Sequence, residues 1–383
     1  MGHAGSVLAC FIGDLNMDIG QMIQPADAET LKARFEPHER HVVTVEPQIV
    51  AARFSPSGKQ LVAGGLDARV RRWELEPDKA IELTALEGHH GWVHALGFDR
   101  DGTRLFTGDS WGQLRGWAFD QQDPMPTWIQ ETAHDGWLRD LHVSPDSQTL
   151  ATCGRDQVVR IWSAEDGSLQ RELKGHHQDV YCVRFHPDGQ TLVSGDERGV
   201  VKHWDVATGN CLGEFDASVL YLLHRLQDVG GARVLTFDQN GQTLACGGTT
   251  PKNGGSVQGT PTVLLFDVDS RTLKHTLEMG APTQCFVHDI HLHHAGFVMA
   301  VTSGTPGQGQ LVFQRPEDEA PFYLNNKMQN CHSLSVHPDG MQLVVVATNR
   351  GNNGNGRRLD KEGRYAGNSS PVHFLQMGVA ADV

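Results

Sequence analysis

Residues 175–205 read GHHQDVYCVRFHPDGQTLVSGDERGVVKHWD, and the pattern inside them decides the fold. Apolar residues fall at Val180, three on at Val183 and two on at Phe185, and a Pro-Asp-Gly turn then ends at Gly189. A second apolar run, Leu192–Ser194, follows the turn, and a third ends on Trp204. Short apolar runs bounded by turn residues read as strands. The figure recurs upstream as Ile49, Ala52, Phe54 with Gly58; as Val93, Leu96, Phe98 with Gly102; and as Leu138, Leu141, Val143 with Ser147. Downstream it returns as Ala232, Leu235, Phe237 with Gly241, as Val287, Ile290, Leu292 with Gly296, and as Cys331, Leu334, Val336 with Gly340. The third apolar positions lie 44, 45, 42, 52, 55 and 44 residues apart, and the third run of each unit ends in Trp73, Trp117, Trp162, Trp204, Phe266, Phe313 or Phe374. Seven units of about 40–45 residues, each with four short strands, predict an all-β, seven-bladed β-propeller.

Gly88-His89 to Trp117, Ala133-His134 to Trp162 and Gly175-His176 to Trp204 each place a Trp 28 residues after the His, and Trp204-Asp205 completes a Trp-Asp dipeptide. These motifs resemble the WD40-repeat family over roughly residues 41–378. The compact Pro-Asp-Gly turns look like those of bacterial WD40 proteins. The resemblance implies a structural tetrad in each blade: the Gly-His histidine, a second-strand Ser or Thr, a turn Asp and the Trp. Here those places are His89, Thr107 and Trp117; His134, Thr152, Asp156 and Trp162; and His176, Ser194 and Trp204, with Asp67 also six residues before a Trp. The pattern decays elsewhere, since Val45 stands where blade 1 would have its His and blades 5–7 carry Phe for Trp. His176, Ser194 and nearby acids also suggest a Ser-His-Asp catalytic set. The repeated spacing makes them struts, because a triad is defined by geometry and not by composition.

The seventh unit has a third strand near Pro371–Gln376 but almost no chain left for a fourth. By the resemblance, the strand-like His41–Val45 closes the ring and removes two open sheet edges. This assigns residues 1–40 to an N-terminal extension, 41–378 to the propeller and 379–383 to a tail. Within the extension, Ala28–Phe35 reads as a short helix capped by Asp27 with Glu29 in its first turn.

The chain has 383 residues, with 32 basic and 46 acidic side chains and a net charge of −14. Such a balance disfavours a nucleic-acid binder or a protein lying on anionic membranes. Hydrophobic content of 39% suffices for a core at this length, and no segment reads as a membrane span or coiled coil. The 43 glycines follow no collagen period and signal many tight turns. Seven cysteines (Cys10, Cys153, Cys182, Cys211, Cys246, Cys285 and Cys331) form no Cys-x-x-Cys pair, which favours a reducing, cytoplasmic setting over a disulfide framework or zinc knuckle. Met1–Ser6 fits the loose myristoylation pattern without a second anchoring signal and is read as a chance match.

In WD40 propellers the chain enters each inner strand from the top face, so the resemblance also indexes that face. The residue after each first apolar position is expected at the channel mouth: Val50, His94, Arg139, Tyr181, Arg233, His288 and His332. Two residues earlier come Gln48, Trp92, Trp137, Asp179, Gly231, Phe286 and Asn330. The first set has arginines and histidines and no acid, and Trp, Tyr and Arg are enriched in binding hot spots. Two insertions, Thr249–Pro261 in blade 5 and Asn349–Pro371 in blade 7, are expected as loops on the same face. The second holds the glycine-asparagine run 351–356, then Arg357, Arg358, Lys361 and Arg364 against Asp360 and Glu362. His288, His291, His293 and His294 invite a metal reading, but strand alternation splits them two and two between faces. No cofactor or metal site is assigned. The expectation is a non-catalytic scaffold whose top face holds a protein or peptide partner, with an acidic segment as the matching chemistry. The rivals are a propeller enzyme, or a small-ligand or pH-sensing domain using the mouth, whose histidines would titrate near pH 6–7.

Overall fold

Each repeat folds into four antiparallel strands of three to nine residues, most of them joined by short connections. A computed structural model describes residues 27–224, 226–252, 259–304, 307–349 and 369–378. It shows seven four-stranded sheets, the blades of a β-propeller. Their innermost strands are Ile49–Phe54, Val93–Phe98, Leu138–Val143, Val180–Phe185, Val234–Phe237, Phe286–His293 and Ser333–Val336. Each lies beside the innermost strands of its two neighbours, and the last lies beside the first. The first turn of each blade needs a left-handed residue. Gly58, Gly102, Gly189, Gly241, Gly296 and Gly340 supply it with φ between 70° and 87°. Ser147 takes the same place at φ 61°, its hydroxyl accepting from the Arg100 N–H and its carbonyl from Arg104.

Ring closure comes from the N-terminal side. Pro37–Val45 pairs antiparallel with Ser370–Met377, with Val43 opposite Val372 and Val45 opposite Ser370. The strand therefore starts at Pro37, four residues before the boundary drawn at 41. Blade 7 also holds blade 1 through three serines. Ser370, Ser333 and Ser335 hydroxyls accept from the backbone N–H of Ile49, Ala52 and Phe54. The core is distributed between blades: Val344, Val346, Val372 and Phe374 of blade 7 pack on Ile49, Ala52 and Leu61 of blade 1. Helix Ala28–Phe35 is capped by the Asp27 carboxylate, which accepts from Thr30 N–H at 2.7 Å. It buries Leu31 and Phe35 against blades 6 and 7, with Phe35 edge-on to His293 at the end of the strand remote from the channel mouth.

Blades 2, 3 and 4 each contain a polar strut. In blade 2, Trp117 Nε1 donates to Thr107 Oγ1 at 2.9 Å, Thr107 lies 2.6 Å from His89 Nε2, and His89 Nδ1 lies 3.0 Å from Asp109. The ionised Asp109 carboxylate can only accept, so the neutral imidazole carries its proton on Nδ1, its Nε2 accepts the threonine hydrogen, and the threonine oxygen accepts from the indole N–H. The chains through Trp162, Thr152, His134 and Asp156, and through Trp204, Ser194, His176 and Asp196, repeat this order. The acid is thus placed differently from the expectation in two blades. Asp156 stands six residues before its Trp, but Asp109 and Asp196 end the second strand, eight before theirs. Blade 1 has no histidine to receive Asp67, which binds Arg71 with both oxygens.

Asp109 also accepts from the backbone N–H of His90, Gly91, Trp111 and Gln113. Burial opposes its charge, but the His89 bond and these N–H groups outweigh burial and hold the carboxyl far below the usual carboxylate range. Asp109→Ala orphans five donors at once. We expect it to cost about 2–4 kcal/mol in urea unfolding, more than Asp196→Ala, which serves fewer backbone groups. A loss under about 0.5 kcal/mol for Asp109→Ala contradicts the strut.

Candidate functional site

One residue per blade escapes the strand ladder at the same end of the channel. In blade 1, Ile49 pairs with Gly65 and Ala51 with Gly64, so Val50 is skipped. The same shift skips His94, Arg139, Tyr181 and His288. In blades 5 and 7 the paired strand begins one residue after Arg233 and His332. A bulge leaves its extra residue unpaired and re-aims it. All seven of these side chains line one cavity of about 120 Å³.

Above the cavity the aromatic and cationic groups form a nearly continuous collar. Trp92 meets Trp137 edge-on at 5.6 Å. The Arg139 guanidinium lies 4.4 Å from the Trp137 ring and 5.2 Å from Tyr181. Arg233 follows, 5.1 Å from Tyr181 and 4.3 Å from Phe286. Phe286 approaches His288, which sits 5.2 Å from His332. Asp179 pairs with Arg139 at 3.3 Å, and the Tyr181 hydroxyl donates to Glu197 at 3.0 Å. Burial, with Glu197 accepting from the phenol, pushes Tyr181 up to about 12. Gln48, Gly231 and Asn330, expected on this rim, are instead buried in the connections between blades.

The expectation of a mouth without acid is corrected one residue deeper. Asp140 and Asp289 line the same cavity, directly after the bulges that place Arg139 and His288. Both are neutralised: Arg184 binds Asp140, and Arg53 binds Asp289 at 3.1 Å. They also tie blades, accepting from the N–H of Val183 and of Leu334. Below this waist the channel widens to about 320 Å³, lined by His142 and His291 among others. His142 accepts from the Phe185 N–H, and burial holds it neutral, with its pKa lowered to about 3.

The mouth histidines do not sit where a sensor near pH 6–7 needs them. Burial, with a smaller push from His332 and Arg233, drives His288 well below its ordinary value. Burial lowers His332 to about 4 and also lowers His94. Of the four-histidine group only His288 stands apart, its bulge breaking the assumed alternation. His293 lies between His291 and His294, with ring centroids 6.4 and 4.2 Å away, and stacks on Phe297 at 4.4 Å. Among the described residues no three His, Cys, Asp or Glu side chains converge as metal ligands.

The described ends of the blade 5 insertion are strand: Thr249, Thr250 and Pro251 pair with Pro261, Thr260 and Gly259 and lengthen the ladder. The basic segment 350–368 of blade 7 lies outside the described residues. An unexpected hairpin, Tyr221–His224 with Gln227–Gly230, stands between blades 4 and 5 and exposes Leu223 and Leu226. The 52-residue spacing was its only trace in the sequence. Trp111, 69% exposed, joins Trp92, 47% exposed, in the loops at the mouth end of blade 2.

With this geometry in view, four stretches, residues 30–74, 81–117, 127–163 and 167–205, match the WD domain, G-beta repeat family. They span the closing strand and blades 1–4. The chain is similar to the guanine nucleotide-binding protein subunit beta of Nicotiana tabacum, 28% identical over 52% of this chain and 54% of the relative. It also matches nucleoporin Nup43 of Mus musculus (29%, over 45% of this chain and 47% of the relative). A third relative is apoptotic protease-activating factor 1 of Rattus norvegicus (28%, over 42% and 12%). The matches thus span about half or less of these relatives' own lengths. All three are eukaryotic, so the likeness to bacterial repeats finds no support among them. The fold is a seven-bladed β-propeller, and four stretches of it match WD40 repeats. The chain is similar to the WD40 family through those four repeats and its WD-repeat relatives.

The histidine shifts carry a sign. Their folded pKa values lie below the unfolded value of about 6.5, so the unfolded chain binds protons first as pH falls. Stability is therefore lost between about pH 6.5 and 4, whereas lowered carboxylates such as Asp109 act only below about 4. We expect the urea midpoint to drop from pH 7 to 4.5 and His332→Gln to shrink that drop. Equal drops in both proteins contradict the burial of His332 as a neutral ring.

Proposed function

We propose that the chain is a non-catalytic interaction scaffold that grips a protein or peptide partner on the mouth face. The observation that supports this most is the convergence of seven residues, one per blade, on one channel mouth, where Arg139, Tyr181 and Arg233 join Trp92, Trp137 and Phe286 in an aromatic and cationic collar. These are the side chains that dominate interface hot spots, and they are held here on a rigid ring. The exposed Trp92 and Trp111 extend the collar into apolar surface. Relatives whose names describe a subunit of a larger assembly agree with a scaffold role. The acids of the mouth are engaged by arginines, and the struts hold their His and Ser or Thr in fixed hydrogen bonds, so neither set is arranged as a nucleophile with a base.

For location we propose the cytoplasm. Cys153, Cys182, Cys246 and Cys331 are buried as free thiols and Cys211 is exposed as one, which suits a reducing compartment.

Trp92→Ala, Arg139→Ala and Tyr181→Ala combined should abolish capture of partners from native cell extract while lowering Tm by only a few degrees. Capture by the triple variant equal to that of the wild type overturns the proposal.

A further inference from the structure

Four arginines line the mouth cavity, and three have carboxylates. Arg53 binds Asp289, Arg184 binds Asp140, and Arg139 binds Asp179. Arg233 binds none among the described residues. Its guanidinium is held between the Tyr181 and Phe286 rings, and its buried Nε has no acceptor. The nearest acid on that side, Glu197, accepts from the Tyr181 hydroxyl. Two further buried atoms of the same cavity lack partners among the described residues: Arg139 Nε and His332 Nε2.

An arginine stays charged in a protein, and a buried charge without a counterion is costly to the fold. Cation–π contacts offset part of that cost but leave the in-plane N–H groups free. Those N–H groups form a planar fork, which suits a carboxylate or phosphate oxygen pair. We infer that the mouth is a receptor for a single oxyanion, held by the Arg233 fork with Arg139 and an Nε2–H of neutral His332 beside it. Tyr181 and Phe286 fix the fork from two sides, so little side-chain freedom is lost when the anion enters. The cavity volume, about 120 Å³, admits one such group and not a nucleotide.

The anion could be an acidic side chain on a bound segment or a small free anion. This inference rests on the gripping-face reading only for that source, not for the binding itself. Purified full-length protein tests it without any partner. One arm uses inorganic phosphate at constant ionic strength, read by ³¹P line broadening and by Tm. The other uses an acetylated, amidated Gly-Gly-Glu-Gly-Gly peptide, read by Tm. Phosphate stabilises folded proteins generally by exclusion from their surface, so the deciding quantity is the difference from Arg233→Met.

We expect each effective probe to raise the wild-type Tm by about 1–3 °C more than that of Arg233→Met. The ³¹P broadening should disappear in that variant. In anion-free buffer Arg233→Met should melt higher than wild type, because a buried uncompensated charge is gone; a purely structural arginine moves Tm the other way. Arg233→Lys keeps the charge but loses the fork, and should weaken half-saturation several-fold if Arg233→Met does not fold. A stronger response to the peptide assigns the anion to a partner side chain, and a response to phosphate alone assigns it to a free anion. No response to either probe, a response retained in Arg233→Met, or a lower anion-free Tm of Arg233→Met overturns the inference, whatever the capture experiment shows.

Discussion

Everything in this molecule hangs on the pairing of Pro37–Val45 with Ser370–Met377. A propeller blade buries its faces only against other blades, so an open array would leave two apolar faces and two unpaired strand edges. Strand pairing alone does not close the gap. The Ser333, Ser335 and Ser370 hydroxyls reach the blade 1 backbone, and Val344, Val346, Val372 and Phe374 pack against it. Closure then sets seven innermost strands side by side around one channel, and one unpaired residue of each turns to the same mouth.

Two kinds of buried polar group follow, and they differ in how completely they are satisfied. Asp109 accepts from His89 and four backbone N–H groups, and the strut behind it runs to Trp117 without a free hydrogen. Such a network rigidifies its blade. At the mouth the balance is incomplete: Arg233 lies among aromatic rings without a carboxylate, and His332 Nε2 has no partner. Polar atoms left unpaired inside a closed ring are costly, and native folds retain them chiefly where something else binds.

Much of this was legible in advance, for reasons that differ by residue. The seven units could be read because a period of 40–45 residues repeats a local figure, and local figures survive in one dimension. The closing strand followed from a missing fourth strand. The Asp109 and Asp196 carboxylates were missed because an acid at a strand end and one in the following turn can reach the same imidazole nitrogen. The hairpin at Tyr221–Gly230 was visible only as excess spacing, since its strands carry no repeat signal. The Arg53–Asp289 pair joins residues 236 positions apart across the channel, and nothing local marks it.

The amino-acid sequence by itself determined the number of blades, the turn residues, the struts' donors and which side chain of each blade faces the mouth. Those depend on short-range pattern: alternation, a left-handed turn residue, a fixed offset from turn to Trp. Only the tertiary structure decided which charges are neutralised. Arg53, Arg139, Arg184 and Arg233 are alike in one dimension. Ring closure brings Asp289, Asp179 and Asp140 to three of them and aromatic rings to the fourth. Charge pairing acts over a few ångströms in space and is indifferent to separation along the chain, so it emerges only once the ring is closed.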